Sequence, residues 1–174
     1  MRIVSMLPSA TEIVCLLGAG DQLVGVSHEC DFPAGVRELP AVTRSRLDIE
    51  APSRVIHDRV QSVLQTALSV YEVDVPTLER LRPDVIVTQD LCEVCAVSHD
   101  DVKAALETLR GQHVEVVSLH PRVLDDIFDD VRRTGQAIGV DGDAAADALA
   151  QRFAAVARPR DTYRRCWRWS GSTR

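Results

Sequence analysis

Five side chains capable of metal, thiol or acid–base chemistry stand in short loops of this 174-residue chain: His28, Cys30, Cys92, Cys95 and His120. Cys92-Glu93-Val94-Cys95 is a Cys-x-x-Cys pair, and His28-Glu29-Cys30 is a His-x-Cys pair. Two residues between cysteines let the backbone turn around one ion, and zinc takes four nitrogen or sulfur ligands in a tetrahedron. His28, Cys30, Cys92 and Cys95 make up such a set. The same cysteines also fit a redox dithiol or small apolar lining, although residues 96–98 part the pair from the next helical pattern. Cys15, inside the apolar run 13–17, reads as core, and Cys166 belongs to an unusual C-terminal stretch. Five cysteines, an odd number, suit reduced thiols or a metal site better than a disulfide framework.

The elements that position these residues alternate between strand and helix. Residues 3–6 predict a buried strand. Ser9 and Glu12 have capping-box spacing and predict a helix that carries Ile13, Val14, Leu16 and Leu17 and stops at Gly18-Ala19-Gly20. A strand over 23–26 leads to the loop Ser27-His28-Glu29-Cys30-Asp31, and Pro33, Gly35 and Pro40 predict irregular chain after it. Ser53 opens a helical pattern with Ile56, Val60, Val63, Ala67 and Leu68 on one face. Leu78 and Leu81 mark a short helix before Pro83, and residues 84–88 read as a buried parallel strand. Further on come a helix from Ser98 to residue 109, a strand over 114–119, a helix over 123–138 closed by Gly139, and a helix over 143–156. The fold class is therefore α/β, a parallel sheet with flanking helices. Ligands bind such sheets beyond the carboxyl ends of the strands, where the loops 7–11, 27–31 and 89–96 and His120-Pro121 lie. Ser9 sits at a helix start facing that rim, a place where backbone N–H groups attract anions. Asp125, Asp126, Asp129 and Asp130 predict an acidic, solvated helix face, with a hard-cation site as the alternative.

Composition removes other classes. Net charge is −6, which gives no footprint for nucleic acid or an anionic membrane surface. No apolar run approaches the roughly 20 residues of a membrane span. Dinucleotide fingerprint, P-loop and nucleophile-elbow motifs are all missing. The first eight residues lack the apolar segment of an export signal, so the chain as given is expected in the cytoplasm. Residues 161–174 carry four arginines, one aspartate and both tryptophans, with neither helical nor strand periodicity. They read as a disordered basic tail or a shifted reading frame.

Several segments together resemble a known family. Arg2-Ile3-Val4-Ser5-Met6-Leu7-Pro8-Ser9-Ala10-Thr11-Glu12, then Val24-Gly25-Val26-Ser27 and Asp31-Phe32-Pro33, then Leu81-Arg82-Pro83-Asp84-Val85-Ile86 follow the order and spacing of the ABC-transporter substrate-binding proteins for cobalamin and iron chelates. The resemblance runs over residues 2–158. It implies two α/β lobes joined by a long helix, with ligand held in the cleft between them and delivered to a permease. Residues 1–142 then correspond to the N-terminal lobe, 143–158 to the start of the connecting helix, and 159–174 to an atypical tail. The resemblance places Pro8, Ser9, His28, Glu29, Arg44, Gln89 and Asp90 on the ligand side. Cobalamin binders of the family tend to present aromatic side chains there. Glu29, Arg44 and Gln89 stand at the matching positions and can hydrogen-bond a corrin's amide fringe but not stack on it.

Three readings result. The first is a non-enzymatic binding component for a corrinoid or iron chelate, with an ABC permease as partner and no cofactor of its own. The second is a cytoplasmic zinc or thiol-redox protein using Cys30, Cys92 and Cys95. The third is a truncated, inactive product.

Overall fold

In a computed structural model, the described residues are 1–46, 52–55, 57, 60, 71–89 and 113–156. Their elements are β1 (Ile3–Ser5), α1 (Pro8–Leu16), β2 (Leu23–Gly25), β3 (Thr43–Ser45), β4 (Tyr71–Val73), α2 (Val75–Leu81), β5 (Val85–Gln89), β6 (Glu115–Leu119), α3 (Leu124–Ala137) and α4 (Asp143–Val156). Four strands form a parallel sheet in the order β2-β1-β5-β6. The run Val85-Ile86-Val87-Thr88 is apolar and β-branched because β5 is central and buried on both faces. Ile3, Val4, Ile86, Val87 and Leu78 are at or near zero exposure and form the centre of the core. Burying one such side chain contributes about 1.5–3 kcal/mol.

Because the strands are parallel, their carboxyl ends (Ser5, Gly25, Gln89 and Leu119) lie at one edge of the sheet. The opposite edge is closed by polar contacts. The Arg2 backbone N–H donates to Asp84 Oδ2 at 2.7 Å, and Arg2 Nε donates to the Leu81 carbonyl at 2.6 Å.

One helix start differs from the sequence reading. Ser9 is not the N-cap of α1. Leu7 holds that position in extended backbone, Pro8 is the first helical residue, and Ser9 is exposed in the first turn. Proline is pre-set for helical φ and loses nothing at a position whose N–H has no helical partner. At α3, Asp126 Oδ2 accepts from the backbone N–H groups of Arg122 (2.7 Å) and Val123 (2.9 Å), so this carboxylate caps the helix.

The acidic face of α3 is correspondingly not a simple solvated surface. Asp130 is 2% exposed, and Asp129 pairs with Arg132. Arg132 also reaches Asp143 and Asp147 of α4 at 3.1 and 2.9 Å. Gly139, at φ +72°, ends the chain turn after α3 as its sequence position predicts. Among the described residues, no helix is long and apolar enough to cross a membrane.

One element was not expected. β3 and β4 pair antiparallel, with Thr43 opposite Val73, Arg44 opposite Glu72 and Ser45 opposite Tyr71. The chain that precedes it is tied to β2 by a bridge between Val26 and Ala41. The predicted helix 98–109 and most of the predicted helix from Ser53 lie outside the described residues.

Candidate ligand rim

The loop after β2 is anchored from two sides. On one side, Thr11 Oγ1 donates to Ser5 Oγ (2.8 Å), Ser5 Oγ donates to the Leu7 carbonyl (2.9 Å), and Cys30 Sγ lies 3.1 Å from Thr11 Oγ1. All of these side chains are buried. The loop is thereby fastened to the β1–α1 turn. On the other side, Thr43 Oγ1 donates to Ser27 Oγ at 3.0 Å and accepts from the His28 backbone N–H at 3.1 Å. A hydroxyl has one proton to give. Thr43 spends it on Ser27, so His28 Nδ1, 2.7 Å from the same oxygen, takes the donor role.

This leaves Nε2 of His28 at the rim, 3.4 Å from Glu29 Oε1. The Tyr71 hydroxyl donates to that carboxylate oxygen at 3.4 Å, and its ring meets the imidazole edge to face, with centroids 5.1 Å apart. The His28 side chain is 24% exposed and the Glu29 side chain 51%. A pocket of about 380 Å³ adjoins His28 and is also lined by Ser27, Cys30, Asp31, Arg37 and Leu39. Phe32 projects into solvent beside this loop at 62% exposure.

The other expected site residues fall as follows. Pro8 and Ser9 stand in the first turn of α1, at the end of the β1 connection. Gln89 ends β5, half-buried, opposite Leu119. Arg44 projects from β3 and pairs with its cross-strand neighbour Glu72, which also receives Arg46 at 3.2 Å. Asp90, Cys92 and Cys95 lie outside the described residues. Cys30, from the same expected metal set, is buried, and burial pushes its thiol pKa up. The nearby carboxylates of Asp31 and Glu29 add to that, against the hydrogen bonds to Thr11 and Ser27. Among the described residues no three of His, Cys, Asp and Glu are grouped to hold a metal. His120, at the end of β6, has its backbone N–H held by the Asp130 carboxylate at 3.3 Å.

Thr43 and Tyr71 are site residues that sequence reasoning missed. The alternation in Thr43-Arg44-Ser45 and Tyr71-Glu72-Val73 is a weak strand signal. What makes them part of the site is their pairing across a long sequence separation, which periodicity does not report.

The parallel sheet with its loops gathered at one rim is similar in fold to about half of each of several solved periplasmic binding proteins. The chain is similar to the vitamin B12-binding protein of Vibrio cholerae serotype O1, 27% identical over 128 residues. That match covers 64% of this chain and 46% of the relative, so the chain spans about half the relative's length. The crystal structure of the periplasmic vitamin B12 binding protein of Vibrio cholerae is similar at TM-score 0.61 and 22% identity, over 89% of this chain and 49% of that one. A periplasmic heme binding protein from Pseudomonas aeruginosa is similar at TM-score 0.57 and 22% identity, over 88% of this chain and 43% of that one. No family model matches the chain.

Proposed function

We propose that this chain is the ligand-capturing lobe of an ABC-transporter substrate-binding protein, and that its ligand is a metal-centred tetrapyrrole, a corrinoid or heme, or a related iron chelate. The observation that carries this reading is the doubly anchored loop 27–31, which presents His28, Glu29 and a pocket at the carboxyl rim of a parallel sheet. Ligands of such sheets bind at that rim. The names of the relatives supply the ligand class. Pro8, Ser9, His28, Glu29, Arg44, Gln89 and Asp90 face the ligand in this reading. Phe32 supplies an apolar surface for a flat macrocycle, and Glu29 and Gln89 supply hydrogen bonds to its polar fringe. The binding step needs no catalytic residue.

Native mass spectrometry with cyanocobalamin and with hemin tests the reading. Retention of one tetrapyrrole per chain, weakened by His28→Ala and Phe32→Ala, is the expected result. Bare protein with both compounds, at concentrations where hemin does not aggregate, refutes it.

A further inference from the structure

His28, Glu29 and Tyr71 carry more than a hydrogen-bonding surface. Nδ1 is held by Thr43 at 2.7 Å, and Nε2 faces Glu29 Oε1, 3.4 Å away. A cation placed between these two atoms bonds to both. The Tyr71 hydroxyl oxygen is also 3.4 Å from Oε1 and supplies a third donor atom. Two ligands bound to one ion at about 2.1 Å with a tetrahedral angle lie about 3.4 Å apart, the separation seen for both pairs.

We propose that His28 Nε2, the Glu29 carboxylate and the Tyr71 hydroxyl form a site for a first-row transition-metal ion on the ligand rim. The inference rests on the reading of this rim as a ligand-capture surface and adds direct ligation of metal to it. Imidazole, carboxylate and phenol are borderline-to-hard donors, suited to iron, cobalt and zinc rather than to copper(I). The Thr43 contact to Nδ1 is the outer-shell hydrogen bond that metal-ligating histidines carry, fixing tautomer and ring orientation. Glu29 is half exposed, so the ion keeps open positions toward solvent for water or a chelator. Imidazole and carboxylate bind without losing a proton; the phenol of Tyr71 gives its proton to water when it ligates ferric ion. The source of the metal is either the hydrated ion or a chelate with an exchangeable position, and both present the same bonds to these three residues.

The test uses the whole chain with cobalt(II) chloride and, separately, ferric nitrilotriacetate, in wild type and in a Cys92→Ser/Cys95→Ser variant that removes the loop thiols. The expected result is one ion per chain in both backgrounds. His28→Gln and Glu29→Gln should each weaken cobalt(II) about tenfold or more. Tyr71→Phe should abolish the visible phenolate-to-iron charge-transfer band while circular dichroism shows an unchanged fold. Binding that vanishes in the double serine variant and ignores His28→Gln and Glu29→Gln overturns the proposal, because the thiols are then the ligands. Absence of any bound ion in wild type overturns it too. Cyanocobalamin and hemin titrated in parallel separate the two readings. Tetrapyrrole uptake without cobalt(II) binding removes the metal site alone, whereas cobalt(II) binding without tetrapyrrole uptake upholds the site and removes the larger ligand.

Discussion

Thr43 Oγ1 lies 2.7 Å from His28 Nδ1, and this contact fixes which imidazole nitrogen faces the rim. Thr43 is itself 3% exposed and also engages Ser27 Oγ and the His28 backbone N–H. Thr43→Val keeps the shape and removes the hydroxyl. Three partners then lose their contact, at a cost of about 1–3 kcal/mol for buried polar groups left unmade. Urea denaturation should show that loss, and under the proposed function metal or tetrapyrrole affinity should fall more than stability alone explains. Thr43→Ser should restore most of both.

Asp130 anchors the backbone at the end of β6. Its carboxylate, 2% exposed, accepts from the His120 backbone N–H and pairs with Arg133. Asp130→Ala leaves that N–H without its carboxylate and should cost about 1–3 kcal/mol in chemical denaturation. Asp130→Asn retains an acceptor oxygen and should cost clearly less. Equal losses would mean that the charge, not the hydrogen bond to His120, is what matters.

Cys30 sets an alkaline limit on stability. Folding raises its pKa above 9.0, chiefly through burial, so the folded chain holds a proton that the unfolded chain releases. The stabilisation is complete below the unfolded value and is lost as pH rises through the higher folded value. Cys15 shifts in the same direction, first through burial and then through Glu12 and Cys30. Tm should therefore decline above about pH 9, in line with the ordinary thiol range. Cys30→Ser should flatten part of that decline, and adding Cys15→Ser should flatten more. A wild-type Tm that stays level through this range would contradict the assignment.

The corner between α3 and α4 relies on bare backbone. A Cβ at Gly135 would come within 2.9 Å of Gly142 Cα and N, and neither of those backbone atoms can swing aside as a side-chain tip can. Gly135→Ala should destabilise by about 1–3 kcal/mol, as overpacking does. Hydrogen exchange should report it first in α4, which is tied to α3 through the contacts of Arg132 with Asp143 and Asp147.

Much of the scaffold is legible in the residues alone. Val85-Ile86-Val87 reads as a buried parallel strand because β-branched apolar residues in an unbroken run suit a strand covered on both faces. Gly139 ends α3 because only glycine takes a left-handed turn at no steric cost. The location of the rim follows from strand–helix alternation, since parallel strands put their outgoing loops on one side. His28 and Glu29 are visible at this level as rim residues.

Tertiary structure decided what those residues face. Ser9 lost the cap position to Leu7 because Pro8 is better placed to begin a helix. Asp130 looked solvated in sequence and is buried, because helical periodicity places a carboxylate on a face without naming the N–H that awaits it there. Thr43 and Tyr71 meet His28 and Glu29 only because β3 and β4 pair across a long loop. Local residue types and their periods determine elements, since those energies act within a few residues. Which hydroxyl orients which imidazole depends on contacts between distant segments, and only the folded chain sets these.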